Sequence, residues 1–144
     1  MSHYFKNQPS PDEIREKMKG YSSWLEINLD NIGNNLKELQ NHTKTTIMAV
    51  VKNNAYGHGL VPVTAYLESQ GLEWCMVAKL YEAFKLREAE LKLNILCMDV
   101  LFTSIQYVNV VEREITQAIY TRDDADKLQE AADKIGKNAK VFIK

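Results

Sequence analysis

The sequence has little of the material from which metal centres and disulfide scaffolds are built. Its 144 residues include two cysteines and three histidines, and the two cysteines do not form the C-x-x-C spacing of a zinc ribbon or a redox motif. Cys75 and Cys97 stand inside apolar runs, where a free cysteine packs as a small hydrophobic residue. We therefore expect two buried thiols and no protein-ligated metal.

An excess of charge of one sign and a long apolar run are also lacking. Eighteen Lys and Arg face nineteen Asp and Glu, a net charge of −1, whereas nucleic-acid binding needs clustered basic residues. No run approaches the roughly 20 apolar residues of a membrane span, and residues 2–20 lack the apolar core of a signal peptide. These absences predict a cytoplasmic protein with neither a nucleic-acid nor a membrane partner.

The first part of the chain, residues 1–20, is polar and predicts an N-terminal helical extension. Ser10 and Glu13 have the spacing of a capping box, and Pro11 occupies the first helical position between them. Gly20 is placed to end this helix in the left-handed conformation.

Beyond the extension, short apolar runs alternate with amphipathic segments of helical period. Residues 24–29 alternate between apolar and polar and predict a half-buried strand, and Asp30 is placed to cap the helix that follows. Five further runs are continuous enough for strands covered on both faces. These runs are residues 46–51, 74–78, 94–98, 115–120 and 140–143, and the helical segments between them are residues 60–70, 80–91, 104–112 and 121–136.

Such alternation of strands and helices is the pattern of a parallel α/β fold. Two arrangements fit it: a doubly wound open sheet and a (β/α)₈ barrel. A barrel takes about 250 residues, whereas five strands complete a flavodoxin-like sheet. Chain length therefore favours the open sheet, and the lack of a linker indicates one structural unit or part of one.

The densest chemical signal follows the first of these five runs. Lys52 stands at its carboxyl end, and Tyr56, Gly57 and Gly59 follow before the next helix. Active sites of parallel α/β folds gather at that edge of the sheet, where a partly desolvated lysine is available for Schiff-base chemistry. Spacing alone fits a solvated lysine and a structural loop equally well, with His58 as a hydrogen-bonded structural histidine, so both interpretations stay open.

The string itself is more specific, because residues 52–59 resemble the cofactor-lysine signature of alanine racemases. That signature is a lysine followed, after two variable residues, by Ala-Tyr-Gly-His-Gly. Residues 24–30 resemble the opening strand and helix cap of this family, and residues 21–144 align with it in order. Further similar stretches are residues 77–78, 82–83 and 86–87, at the second barrel strand and its helix, and residues 94–96, at the third strand.

The resemblance implies a pyridoxal-phosphate enzyme of fold type III, in which an eight-stranded α/β barrel precedes a β-rich domain and the protein is a homodimer. Residues 21–144 would be the N-terminal part of the barrel, with about five of its eight strands. The implied reaction interconverts L-alanine and D-alanine for cell-wall precursor supply. The alternatives are a racemase for serine, ornithine or a broad range of substrates, and a non-catalytic truncated or split-gene fragment that binds the cofactor.

By the same resemblance, Lys52 is the lysine that forms the aldimine with the cofactor and one of two bases that exchange the α-proton. Tyr56 contacts the cofactor phosphate, and Lys144 aligns with a lysine that is carbamylated in many members. The family's opposite-face tyrosine and pyridine-side arginine lie beyond this point, so we expect the 144-residue chain alone to be inactive and to need a complementary C-terminal part. Residues that depart from the family pattern are Asn53, residues 79–81 and Asp99.

Overall fold

The structure, a computed structural model, describes residues 3–144; Met1 and Ser2, with which the predicted extension begins, lie outside the described residues. None of the described helices is both long and apolar enough to cross a membrane. The helices are α1 (His3–Lys6), α2 (Pro11–Met18), α3 (Leu29–Thr43), α4 (Lys52–Tyr56), α5 (Leu60–Ser69), α6 (Leu80–Glu88), α7 (Ser104–Glu112) and α8 (Arg122–Ile135). The strands are β1 (Met48–Val50), β2 (Trp74–Val77), β3 (Asn94–Cys97), β4 (Thr116–Ile119) and β5 (Lys140–Ile143).

The five strands form one parallel sheet in the order β1-β2-β3-β4-β5. This order agrees with the start of a (β/α)₈ barrel, in which each strand pairs with the next strand along the chain. A flavodoxin-like sheet would instead place β1 between β2 and β3. The open sheet that chain length favoured is therefore wrong, because the number of strands does not determine the order in which they pair.

The main core lies between the sheet and its helices. Cys75, Val77, Ile95 and Cys97 alternate onto one face of β2 and β3, are fully buried, and pack in one cluster with apolar side chains of α5 to α8. β5 differs from the other strands, because all four of its residues are exposed. The expectation that every run is covered on both faces is wrong there.

The predicted capping box starts the helix at the expected residue. Ser10 caps α2, since its Oγ accepts a hydrogen bond from the Glu13 N–H at 3.3 Å while the Glu13 carboxylate accepts from the Ser10 N–H at 2.7 Å. Gly20 does not end the helix in the left-handed conformation as predicted. The right-handed Lys19 closes the last turn by donating its N–H to Glu16 O at 3.3 Å, so no left-handed residue is needed.

The strand predicted over residues 24–29 is wrong. Within residues 24–28 the structure has no strand, Leu29 already belongs to α3, and the side chains of Trp24 and Leu25 are 62% and 76% exposed. An alternating pattern marks the face that a strand would bury, but a strand also needs a neighbour for its backbone N–H and C=O groups.

The helix that follows is capped by Asn28 rather than by Asp30. Asn28 Oδ1 accepts a hydrogen bond from the Asn31 N–H at 3.0 Å. Asp30 instead accepts a hydrogen bond from the Tyr66 hydroxyl, which raises the pKa of that tyrosine above its ordinary value. The cap prediction was therefore displaced by two residues, because the Asp30 carboxylate has a partner on α5.

Candidate active site

The predicted site residues lie at the edge of the sheet where the carboxyl ends of the five strands meet. Lys52 lies just after β1. The hydrogen bonds between β1 and β2 continue as far as Val51, whose N–H donates to Met76 O at 2.9 Å. The Lys52 side chain is half-buried. Lys144 follows β5, so the two lysines share one edge of the sheet but stand after its two outermost strands.

The chain after Lys52 makes a left-handed turn, so the short segment α4 is not a regular right-handed helix. Asn53, Asn54, Ala55 and Tyr56 all have φ values between 51° and 57°, and Gly57 follows at 90°. Left-handed helical backbone costs about 1–2 kcal/mol for an ordinary residue, and asparagine tolerates it better than most. Strained backbone of this kind persists only where surrounding contacts hold it, and it concentrates at functional sites. We call residues 52–59 the lysine loop.

Asn54 makes four hydrogen bonds that hold the lysine loop. Its side-chain Oδ1 accepts from the N–H of Leu60, the first residue of α5, at 2.8 Å. Its backbone carbonyl accepts from the N–H groups of Gly57 and Gly59 at 3.1 Å and 2.9 Å. Its own N–H donates to the Glu82 carboxylate at 3.3 Å. The turn is therefore tied both to the following helix and to a residue 28 positions away.

The rest of the lysine loop divides into a buried anchor and outward-facing polar groups. Ala55 is buried in the main core. Tyr56 is 59% exposed, so its hydroxyl is accessible from solvent. His58 Nδ1 lies 2.9 Å from Ala55 O and donates to that carbonyl, as expected for a structural histidine. Lys52 and Tyr56 thus belong to one loop whose backbone is fixed between them.

Glu82 is a buried acid that links the lysine loop to the next strand–helix junction. It is 1% exposed. Its Oε1 accepts from the Asn54 N–H, and its Oε2 accepts from the N–H groups of Lys79 and Ala78 at 3.1 Å and 3.3 Å. Residues 82–83 belong to the stretches that resemble the family, but the resemblance assigned Glu82 no role. Its signal was the position of an acid three residues beyond Lys79, in the first turn of α6.

Two of the departures from the family pattern contact each other at the same edge. Lys79 Nζ lies 3.4 Å from the Asp99 carboxylate, in a partly exposed ion pair between the carboxyl ends of β2 and β3. Asp99 also accepts from the Leu80 N–H at 3.0 Å. These two charges therefore compensate each other, and Asp99 helps to start α6.

Lys144 extends the last pair of strands by one residue. Its N–H donates to Ile119 O at 3.1 Å, and its Nζ lies 5.5 Å from the centre of the Tyr120 ring. The Tyr120 hydroxyl donates in turn to Met98 O at 2.8 Å. The end of the described chain is therefore packed against an aromatic ring at the carboxyl edge.

The two cysteines are free and buried, as predicted. Burial raises the pKa of Cys75 to about 12 and that of Cys97 to about 11, so neither thiol is poised as a nucleophile. Across residues 3–144 no three His, Cys, Asp or Glu side chains are grouped to hold a metal ion.

A family model described as alanine racemase, N-terminal domain, matches residues 27–144. The chain belongs to the alanine racemase family. The match includes all five strands and the lysine loop, and within this family the chain has the architecture of the N-terminal part of a TIM-type barrel.

Individual relatives agree with this assignment. An alanine racemase of Methanococcus maripaludis is 39% identical over 129 residues, which cover 88% of this chain and 34% of the relative. A structure of Clostridium difficile alanine racemase in complex with cycloserine has a TM-score of 0.78 at 32% identity, over 85% of this chain and 33% of that one. A histidine racemase from Leuconostoc mesenteroides has a TM-score of 0.69 at 27% identity, over 78% and 30%. The chain spans about a third of the length of these relatives.

Proposed function

We propose that the protein to which this chain belongs is a pyridoxal-phosphate-dependent alanine racemase, with Lys52 as its cofactor lysine and one of its two bases. One observation carries the proposal: the half-buried Lys52 follows β1 at the carboxyl edge and opens a strained left-handed loop with the family's signature. The alanine racemase family is pyridoxal phosphate dependent.

The residues of the lysine loop fit this cofactor. Lys52 supplies a primary amine that can bond covalently to the aldehyde, and Tyr56 offers an accessible hydroxyl that can donate to the phosphate. When bound, the cofactor delocalises the negative charge left on the α-carbon after proton removal. Once displaced from the cofactor by the substrate amine, Lys52 Nζ would remove or deliver the α-proton on one face of the substrate, as a general base or acid, while the second base would serve the opposite face.

Lys144 is proposed as the carbamylated lysine of the site. Its support is its place directly after β5, beside the Tyr120 ring. The Lys144 ammonium would first lose one proton, and the neutral amine would then add to CO₂ and release a second proton, so that a positive group is replaced by a negative one. Incorporation of isotope-labelled CO₂ into the protein, and its loss in Lys144→Ala, tests this role.

The domain organisation and the partners follow from the same family. We propose that residues 21–144 begin the barrel domain behind an extension over residues 1–20, and that a C-terminal part supplies the remaining strands and a second domain. That part belongs either to the same polypeptide, in a homodimer, or to a complementary chain. The exposed apolar side chains of Val141, Phe142 and Ile143 on the edge strand β5 support this proposal. Free, buried cysteines fit a cytoplasmic location.

A racemase for another amino acid is the second candidate. The solved histidine racemase has a similar fold, so the architecture does not select the substrate. The Lys79–Asp99 pair at the carboxyl edge also departs from the family pattern. Serine, ornithine and histidine are therefore tested beside alanine.

The test is a racemase assay on the protein as its own cell makes it, supplied with pyridoxal phosphate. D-alanine formation from L-alanine, with a higher kcat/KM than for the other amino acids, supports the proposal. Faster racemisation of serine, ornithine or histidine assigns that substrate instead. Cofactor bound to Lys52 without racemisation above the free-cofactor background would contradict the activity and favour the non-catalytic cofactor-binding alternative.

A further inference from the structure

Three successive strand–helix junctions of this sheet share one capping arrangement. In α6, α7 and α8 the third helical residue accepts hydrogen bonds from the N–H groups of the two residues that precede the helix. In α6, Glu82 accepts from Ala78 and Lys79. In α7, Gln106 accepts from Phe102 and Thr103. In α8, Asp124 accepts from Tyr120 and Thr121.

Comparison of these caps reveals an oxygen at Glu82 that its own cap does not need. Gln106 caps α7 with a single oxygen, at 2.8 Å and 3.0 Å from its two donors. Glu82 likewise uses one oxygen, Oε2, for the cap of α6. Its second oxygen, Oε1, accepts from the Asn54 N–H of the lysine loop. A glutamine would therefore suffice for the cap, and the second oxygen contacts the loop that holds Lys52.

We propose that Glu82 is a positioning residue for Lys52: its second carboxyl oxygen stabilises the left-handed conformation in which the lysine loop presents the Lys52 amine. The inference rests on the proposed function of Lys52. Left-handed backbone is higher in free energy than right-handed backbone for residues with a Cβ. A hydrogen bond to a buried acceptor in the middle of that turn favours the strained conformation over alternatives that lack the bond.

The discriminating variant is Glu82→Gln. It retains one oxygen, as in Gln106, and so preserves the cap of α6. The new amide N–H₂ group faces the Asn54 N–H, and two donors cannot bond each other. The matched control is Asp124→Asn, the same change from carboxylate to amide at the same helical position. Asp124 has no bond to the lysine loop. The donor to its second oxygen, Oδ1, is the Tyr107 hydroxyl, which also lies 3.2 Å from Leu101 O.

Two readouts separate positioning from general stability. The first is hydrogen exchange of the amides of residues 54–60 in cofactor-free protein. The second is retention of pyridoxal phosphate on Lys52, measured by borohydride reduction and peptide mass. Glu82→Gln should speed exchange and weaken retention by about tenfold to a hundredfold, the equivalent of one hydrogen bond to a charged group. Asp124→Asn should change neither readout in the lysine loop.

Unchanged exchange and retention in Glu82→Gln, or equal effects in Asp124→Asn, would overturn the inference. If Glu82→Gln does not fold, Glu82→Asp takes its place, because a side chain shorter by one methylene reaches the cap or the loop but not both. Cofactor found on another lysine of the unmodified protein overturns the role of Lys52, and with it that of Glu82. The two failures are distinguishable. If the proposed function fails, the unmodified protein is not labelled at Lys52. If only the inference fails, the unmodified protein is labelled at Lys52 and Glu82→Gln leaves the labelling unchanged.

Discussion

The junctions after β1 and after β4 leave the same edge of the sheet by different backbone routes. After β4, Thr121 is extended (φ −135°, ψ 163°), and α8 starts at the next residue with a reciprocal Thr121–Asp124 capping box. After β1, the chain passes through four left-handed residues, 53–56, and Gly59 at φ 99° before α5 begins. The capping box after β4 is formed by two residues close in sequence, whereas the turn after β1 also donates a hydrogen bond to the distant Glu82.

This difference indicates where the fold tolerates strain. Four left-handed residues cost several kcal/mol, at about 1–2 kcal/mol each for ordinary residues and less for asparagine. The hydrogen bonds of Asn54 and the burial of Ala55 offset that cost. Such a loop has one well-defined conformation, which suits the proposed role of Lys52 as the cofactor lysine.

The largest expected effect comes from removing the lysine of the strained junction. Lys52→Ala should abolish covalent cofactor attachment, because no other amine of the lysine loop can replace it. The matched control is Lys79→Ala, which removes the lysine after β2 at the same edge of the sheet. The measurement is the visible absorbance of lysine-bound cofactor that remains after gel filtration. An equal loss of bound cofactor in Lys52→Ala and Lys79→Ala would contradict the assignment of the cofactor to the junction after β1.

Replacement of Asn54 should destabilise the fold more than replacement of its neighbour. Asn54→Ala loses the acceptor for the N–H of the buried Leu60 and places alanine at φ 57°, so we expect a loss of about 2–3 kcal/mol of unfolding free energy. Asn53→Ala, at φ 53°, changes only the backbone preference and should cost about 1 kcal/mol or less. Urea denaturation measures both. Equal losses would show that the side-chain bond contributes nothing.

Tyr56→Phe should weaken cofactor retention without destabilising the protein. The lost hydrogen bond to a charged phosphate corresponds to about 1.5–3 kcal/mol, while the exposed ring of Tyr56 stays in place. Tyr81→Phe is the control, because Tyr81 is similarly exposed near the next junction. Cofactor titration measures the affinity. An affinity equal to that of the control would reject the phosphate contact.

The smallest expected effect concerns the ordinary junction and its pH dependence. Partial burial would raise the pKa of Asp124, but hydrogen bonds from Tyr120, Thr121 and Tyr107 outweigh it and lower the pKa below the ordinary 3.8. Because the pKa of Asp124 is lower in the folded state, its ionised carboxylate stabilises the protein at pH values above the ordinary pKa of 3.8. This stabilisation is lost as the pH falls through the pKa of the folded state. Asp124→Asn should therefore flatten the acid limb of the stability profile. An unchanged slope would contradict this.

The sequence predicted those parts of the fold that local pattern determines. The bounds of α7 agree with the predicted residues 104–112, and the five strands lie within the predicted apolar runs. The alternation of residues 24–29 did not produce a strand, because a strand depends on a partner that local pattern does not report. The resemblance identified the family, whereas chain length pointed to the wrong sheet.

The candidate site was predictable only in part for the same reason. Lys52 was recognised from its motif, but the left-handed turn after it was not, although the Asn53-Asn54 pair and Gly57 are residue types that favour positive φ. Glu82 acts across 28 residues of sequence, and such a contact follows from the pairing of β1 with β2 rather than from spacing.

The central claim is that the lysine loop is the cofactor site, and peptide mapping after borohydride reduction of the unmodified protein with pyridoxal phosphate tests it most directly. Our account predicts one dominant adduct, on the peptide that contains Lys52. An adduct on Lys79, Lys144 or another lysine, or no stable adduct at all, would contradict it.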